Sequence, residues 1–348
     1  MAWGFPDFDA HEGVHFFTDP ASGLRAVIAI HSTALGPAAG GARFWHYADD
    51  AGAVTDVLRL SRGMSYKNAM AGLDLGGGKG VILSDRPGGT ISTEQLVAFG
   101  RAVESLAGRY VTAEDVGMSE ARMKVIAGET RYVSGLPVAE GAAGGDPGPY
   151  TAHGVYLGVR AAAKRGLGSD DMKGVRVAIQ GVGSVGGGLA KLLARDGAIL
   201  TLADVDTARA DALAAQLGAT TASAAEILFA DVDIVSPNAL GAILTESSIP
   251  QIKAKVVAGG ANNQLATRAD GQRLHDAGIT YAPDYVINAG GIINVGLEYL
   301  GKGDEAEVMA RIARIPERLD QVWDESVASG RPAAEVADTI AQRLIGRA

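Results

Sequence analysis

The run VRVAIQGVGSVGGGLAKLLARDGAILTLADVD, residues 175–206, decides the fold of this chain. An apolar, strand-like segment (RVAIQ) leads into Gly181-Val182-Gly183-Ser184-Val185-Gly186, and the glycines open a segment in which Leu189, Leu192 and Leu193 recur at helical spacing. A second apolar strand, ILTLAD, ends at Asp204, about 20 residues beyond the glycines. A GxGxxG pattern alone is a weak signal in a chain with 48 glycines; its place between a strand and a helix gives it weight. Gly181 permits the tight turn, Gly183 lets backbone approach a pyrophosphate, and Gly186 lets helix and strand pack closely. The helix N-terminus offers N–H donors and the positive end of its dipole to phosphate. Asp204 is placed to accept from ribose hydroxyls and to repel a 2′-phosphate, which favours NAD over NADP. Asp206 either shares that role or is merely solvated.

Working outward, the first half alternates strand and helix patterns. GLRAVIAIHS (23–32) and GVIL (80–83) read as strands, and Val54, Val57, Leu58 and Met64 form a helical stripe ending at Lys67. Ser92 and Gln95 fit a capping box that opens a helix with Leu96, Phe99 and Val103. YVTAED (110–115) reads as a strand ending in two carboxylates, and YVSGL (132–136) as a short strand. GAAGGDPGP (141–149) is the best interdomain linker, and a helix is expected from Thr151 to Lys164. DIVS (233–236), KVVAGG (255–260) and ITYAPDYVIN (279–288) carry further strand signals. Val308, Ile312, Ile315, Leu319 and Val322 define an amphipathic C-terminal helix with a break at Pro316. The expectation is an α/β protein of two domains with a cleft between them: an N-terminal α/β substrate domain (1–140), a Rossmann domain (150–300), and C-terminal helices (301–348) packing back toward the first.

Composition narrows the function. The chain has 348 residues, 47% hydrophobic and 20% charged, with a net charge of −9. That balance argues against nucleic acid or an anionic membrane as partner. With no cysteine, disulfides, thiolate metal sites and cysteine nucleophiles are excluded, and no metal site is expected. The N-terminal MAWGFPDFDA lacks a basic-then-apolar signal, so the expected location is the cytoplasm.

A second stretch, GLDLGGGKGVIL (72–83), places glycines directly before Lys79. A Walker loop would need Gly at the position of Leu73 and Ser or Thr at that of Gly80, so a phosphate loop is ruled out on spacing. The segment is too apolar for an open surface, where a lone lysine usually sits. Lys67 in SYKN lies in a similar setting, and Asp115 ends YVTAED. Burial and a second nearby ammonium would lower a lysine's pKa. One lysine can then stay charged and hold a carboxylate while the other serves as a general base, with Asp115 receiving or relaying the proton. The glycines are expected to leave room for a small substrate beside Lys79.

These segments, with ASGLRAVIAIHSTALGPAAGGARF, ANNQLA and YAPDYVINAGGIINV, closely resemble the glutamate/leucine/phenylalanine/valine dehydrogenase family, and within it the leucine, valine and phenylalanine branch. The match runs from about residue 14 to 300, and the GGGK segment is its most specific part. The resemblance implies NAD-dependent, reversible oxidative deamination of an L-amino acid to a 2-oxo acid and ammonia by a homo-oligomer. It implies that Lys67 binds the substrate α-carboxylate, that Gly40, Gly41 and Met64 line the same pocket, that Lys79 is the general acid/base acting on water, and that Asp115 handles the amine proton. It places Thr151, Ala239, Asn263 and Asn288 at the cofactor with Gly181, Gly183, Ser184, Val185, Gly186 and Asp204, and Asn263 at the substrate too. One departure is Asn238, where family members often carry cysteine; a mild effect is expected.

By the same resemblance, glutamate-specific members carry Lys at the position of Ala39 and Ser at that of Val295. A buried γ-carboxylate would here be unpaired, at several kcal/mol. With Ala113 and Ile292 the pocket is apolar. Leucine, valine or isoleucine is favoured, and phenylalanine is the alternative because Ala39 is small. A non-catalytic NAD-binding regulator would be expected to have lost Lys79 or Asp115, and both are present. No histidine shows, in sequence, the carboxylate-paired setting that a 2-hydroxy-acid dehydrogenase would want.

Overall fold

The computed structural model describes residues 2–5, 7–136, 143–239 and 241–347. They form two compact units, Met1–Asp146 with Ile292–Val308 and Ala341–Ala348, and Pro147–Gly291 with Met309–Ile340. The first passage between units falls within the Gly/Pro-rich run 141–149, of which residues 141 and 142 lie outside the described residues. The C-terminal segment does not join the first unit as a block: 309–340 belongs to the second and 341–348 to the first.

The first unit contains β1 (Gly13–Asp19), β2 (Leu24–Ser32), β3 (Ala38–Ala39), β4 (Ala42–Trp45), α1 (Asp50–Met70), β5 (Gly76–Leu83), α2 (Thr93–Ser105), β6 (Tyr110–Val111) and α3 (Glu120–Ala127). The sheet order is β1-β2-β5-β3-β6, with β4 continuing alongside β5. β1, β2 and β5 are antiparallel; β3 and β4 run parallel to β5. Period-2 alternation sorts the side chains. Val27, Ala29 and Val81 meet Val54, Val57 and Leu58 of α1 on one face. Ala26, Ile28, Ile30 and Ile82 meet Leu96, Phe99 and Val103 of α2 on the other. α1 is N-capped by Asp49, and α2 opens with the expected Ser92–Gln95 capping box.

The second unit contains α4 (Gly148–Leu167), β7 (Arg176–Gln180), α5 (Ser184–Arg195), β8 (Ile199–Ala203), α6 (Thr207–Leu217), β9 (Thr220–Thr221), β10 (Ile234–Pro237), β11 (Val256–Val257), α7 (Arg268–Asp276), β12 (Thr280–Tyr281) and α8 (Asp284–Ile287). Helices α9 (Gly290–Leu300), α10 (Glu305–Ile312), α11 (Ile315–Ser329) and α12 (Ala333–Leu344) complete the chain. The sheet is all parallel, in the order β12-β11-β10-β7-β8-β9. Strand order reverses between β7 and β10, and the carboxyl ends of those strands are where open α/β sheets bind ligands.

Several strands are shorter than the sequence suggests. YVTAED pairs only at Tyr110–Val111, with isolated bridges from Thr112 to Val133 and from Asp115 to Met118, so Asp115 lies beyond the strand, on the loop that follows it. YVSGL contributes only the bridge at Val133, and KVVAGG only Val256–Val257. ITYAPDYVIN is a strand only at Thr280–Tyr281: Pro283, with no N–H to give, ends the pairing, and α8 begins at Asp284. The C-terminal stripe is buried throughout but belongs to two helices, with Pro316 in the first turn of α11, where a missing N–H costs nothing. Among the described residues no helix is long and apolar enough to cross a membrane.

Candidate active site

In the first unit, Lys79 and Gly77 point to the α1 face of β5, while Gly78 and Gly80 point to the α2 face. The glycines do not leave room for a substrate, contrary to expectation. A Cβ on Gly77 would lie 2.0 Å from the backbone nitrogen of Ser65, and one on Gly78 would lie 2.7 Å from the ring of Tyr110. The missing side chains let α1 and Tyr110 close onto the strand. Lys79 is thereby sealed in, with 4% of its surface exposed.

Its ammonium reaches Asp115 Oδ2 at 3.0 Å. Burial pushes the Lys79 pKa down, and the Arg43 cation adds to this, against the opposing pull of Asp115 and Asp56. The carboxylate shows the converse balance. Burial alone would raise its pKa, but Lys79 and Arg43 outweigh burial and hold Asp115 below the usual carboxylate range. Arg43, which the sequence reading missed, donates from Nε to Asp115 Oδ2 at 2.9 Å and from Nη1 to Asp56 at 3.0 Å. Tyr47 donates to the same Asp56 oxygen at 2.5 Å. The only early hint of Arg43 is its place directly after the GGA segment.

Gly40 and Gly41 occupy the gap between β3 and β4, beside Lys79. A Cβ on Gly40 would meet the Gly78 carbonyl and Met64 Cγ, and one on Gly41 would meet the Glu114 carbonyl and Asp115 Cβ. Tyr110, also missed, donates to the Gly40 carbonyl at 2.7 Å. Ala113 accepts from the Ala42 N–H on the same edge, and Ala39 pairs between Gly77 and Val111. Met64, Gly40, Gly41, Lys79, Ala113 and Asp115 are therefore brought together. Lys67 is half-buried on α1, two positions beyond Ser65, and Ile292 and Val295 are half-buried one turn apart on α9.

One histidine lies beside a carboxylate, which the sequence did not suggest: His31 Nε2 is 3.4 Å from Asp9. It is fully buried, its Nδ1 meets Ser65 Oγ at 2.7 Å, and Arg347 donates to its Nε2 at 2.9 Å. Arginine can only donate, so Nε2 is the acceptor and no ring nitrogen is left for chemistry.

In the second unit, Gly181 follows β7 at φ +84°, and a Cβ there would strike Ala239. A Cβ on Gly186 would lie 1.9 Å from the Gly181 carbonyl. Gly183 is different: a Cβ would meet nothing within 4 Å, and no side chain caps α5. The N–H groups around Ser184 and Val185 thus face a cradle suited to phosphate. Asp204 accepts from the Val182 N–H at 2.8 Å and the Asp206 N–H at 3.0 Å. Although burial opposes it, these bonds and Arg209 hold its pKa down. Asp206 is neither merely solvated nor free: it caps α6 and pairs with Arg209 at 3.1 Å.

Asn238 stitches two loops together, donating to Ser236 and accepting from the Gly260 N–H at 2.9 Å. Beside it, Asn288 donates to Gly260 O and Asn262 Oδ1, and its own Oδ1 is buried without a partner among the described residues. Asn263 holds a left-handed φ of 52° on the following turn. Thr151 spends its hydroxyl proton on the Pro147 carbonyl in the first turn of α4. The cradle, the backbone-aimed Asp204 carboxylate and the orphaned Asn288 acceptor fit a dinucleotide.

Together the two units have the make-up of a two-domain α/β dehydrogenase with a Rossmann-type nucleotide unit. Comparison with known proteins makes this specific. Residues 11–132 match the profile of the Glu/Leu/Phe/Val dehydrogenase dimerisation domain, and residues 200–344 that of Glutamate/Leucine/Phenylalanine/Valine dehydrogenase. Leucine dehydrogenase of Bacillus subtilis (strain 168) is 45% identical, over 97% of this chain and 92% of its own. Valine dehydrogenase of Streptomyces virginiae is 47% identical, over 98% and 96%. The crystal structure of L-tryptophan dehydrogenase from Nostoc punctiforme superposes with a TM-score of 0.86 at 38% identity, covering 97% of this chain and 96% of that one. The chain belongs to the glutamate/leucine/phenylalanine/valine dehydrogenase family.

Proposed function

We propose that this protein catalyses the NAD-dependent, reversible oxidative deamination of an apolar L-amino acid, with leucine, valine or isoleucine preferred, to the 2-oxo acid and ammonia. The observation that carries the reading is the Lys79–Asp115 pair at 3.0 Å, in which a buried lysine, its pKa pushed down by burial, meets a partly exposed carboxylate. The named activities of the leucine and valine relatives support the substrate class.

In this reading Lys67 holds the α-carboxylate, and Asp115 takes a proton from the substrate ammonium. A bound nicotinamide dinucleotide supplies the two-electron acceptor. Lys79, without its proton, takes one from the water that attacks the resulting imine carbon, and Asp115 returns a proton to the departing amine. Ala39, Met64, Ala113, Ile292 and Val295 offer the substrate side chain no charge, which disfavours glutamate. Gly181, Gly183, Ser184, Val185 and Gly186 would hold the pyrophosphate, Asp204 the ribose, and Thr151, Ala239, Asn263 and Asn288 the nicotinamide end, with Asn263 also serving the substrate. Asp204 supports NAD over NADP. The dimerisation domain named in the matched profile supports a homo-oligomer.

A second reading, an aromatic substrate, is favoured by the small Ala39 and by the likeness to the tryptophan dehydrogenase. Consumption of NADH with ammonia and a panel of 2-oxo acids tests both. The fastest turnover is expected with the branched aliphatic acids; aromatic acids leading would establish the second reading, and no turnover with any would overturn both.

A further inference from the structure

We propose that Arg43 is a positioning residue for the acid/base pair: it shares Asp115 Oδ2 with Lys79, fixes the carboxylate with Oδ1 left for the substrate amine, and supplies the second positive charge that lets the lysine work without its proton. This rests on the dehydrogenase reading of the same site.

The geometry is specific. Arg43 lies on β4, paired with Val81, two residues past Lys79 on the same strand and face. Its guanidinium spans two carboxylates at once, through Nε to Asp115 at 2.9 Å and Nη1 to Asp56 at 3.0 Å. A planar fork can do this and a point charge cannot. Both cations address Oδ2 of Asp115, and among the described residues nothing hydrogen-bonds Oδ1. Asp115 is still a quarter exposed through its side chain, so that oxygen is reachable.

The charges around Lys79 can be named element by element. Asp115 comes from the loop after β6, Arg43 from β4 and Asp56 from α1, which also carries Lys67. Tyr110 of β6, its pKa raised by burial, is neutral, and Tyr47 donates to Asp56. His31 of β2 is held neutral by burial and by Arg347. With Arg43 present, a neutral Lys79 leaves Asp115 paired with a cation. Without Arg43, Lys79 becomes the only cation on that carboxylate and retains its proton.

The test is the pH dependence of kcat for amino-acid oxidation in the parent, Arg43→Gln, Arg43→Lys and Asp56→Asn, alongside NMR titration of the Lys79 side chain in ¹³C-lysine-labelled protein. Arg43→Gln should move the acid limb up by about one pH unit, and Asp56→Asn should move it down. Arg43→Lys should return the limb most of the way, with kcat still reduced because Asp56 and Asp115 are no longer bridged. The NMR titration should move in the same directions, and it reads Lys79 whether or not the protein turns over amino acids. A parent without activity but with these titration shifts would sink the dehydrogenase reading and keep the electrostatic role of Arg43. Unshifted limbs and titrations, with kcat lowered uniformly, would leave Arg43 purely structural and overturn the proposal.

Discussion

Lys79 and Asp115 meet at 3.0 Å across the edge of a glycine-lined strand, with the lysine almost wholly buried and the carboxylate partly open. In the proposed reaction that asymmetry suits two roles: the partly open Asp115 exchanges protons with the substrate amine, and the buried Lys79 acts on the attacking water. Lys79→Ala is expected to lower kcat by roughly 10²–10⁴ with a small change in KM. Lys67→Ala is expected to raise KM more than it lowers kcat. Steady-state kinetics of both variants check the split, and near-normal turnover in Lys79→Ala would refute the assignment. The fold should survive the Lys79 change, because Arg43 still balances Asp115.

Gly77 is a packing residue. A methyl there would meet the backbone of Ser65 at 2.0 Å, and backbone cannot swing aside. Gly77→Ala should destabilise the protein by about 1–3 kcal/mol or more. Gly63 lies mid-helix on α1 with nothing within 4 Å, so Gly63→Ala should stabilise by about 0.5–1 kcal/mol. Denaturant titration of the two variants should give shifts of opposite sign.

That contrast shows what was legible in the sequence. The nucleotide unit could be read because its glycines and Asp204 obey one short local grammar: each residue's job concerns neighbours within a single strand–helix–strand unit. The pair Lys79–Asp115 could be named but not measured. The purpose of the GGGK glycines was misread, because what fills the space beside them, Ser65 and Tyr110, comes from other elements. Arg43 and Asp56 were missed for the same reason: an arginine after a glycine pair gives no hint that two carboxylates converge on it. The strand signal of ITYAPDYVIN gave way to α8 at Pro283 and Asp284, and the carboxylate of Asp284 binds the Gln264 N–H at 3.0 Å.

Asp204 sets the third expectation. Its carboxylate is aimed by two backbone N–H groups rather than left mobile, so a 2′-phosphate would meet a fixed negative charge. Arg209 is partly neutralised by pairing with Asp206. The protein should favour NAD over NADP by a large factor, and Asp204→Ala should narrow the ratio of the two kcat/KM values. Equal rates with both cofactors in the parent would contradict this.

Acid should weaken the fold through a buried histidine. Burial and Arg347 push the His31 pKa from 6.5 down to about 3. The unfolded chain therefore binds a proton near pH 6.5 that the folded chain refuses until about pH 3, so stability is lost as pH falls through that window. Between pH 7 and 5 this group alone costs about 2 kcal/mol. His11, His15 and His153 are shifted down by burial as well and add to the slope. The measurement is the free energy of unfolding at pH 7 and pH 5 in the parent and in His31→Gln. The variant should show the shallower dependence; identical slopes would mean that His31 does not refuse its proton.

Ala39 bears on which amino acid is taken. It lies on β3, hydrogen-bonded between Gly77 of β5 and Val111 of β6, so its backbone cannot retreat when its side chain grows. If Ala39 borders the distal end of the substrate, Ala39→Leu should fill that space. A planar ring cannot shorten to avoid the new isobutyl group, whereas leucine and valine can rotate or are already short. Phenylalanine should then lose more activity than leucine, by about 1–3 kcal/mol in relative specificity. The quantity to measure is the ratio of kcat/KM for phenylalanine to that for leucine, in parent and variant. Taking a ratio removes any general loss from overpacking a buried strand, since such a loss would fall on both substrates alike. An unchanged ratio would mean that Ala39 does not reach the side chain, and would move the selectivity to Ile292 and Val295, whose half-buried side chains share one face of α9.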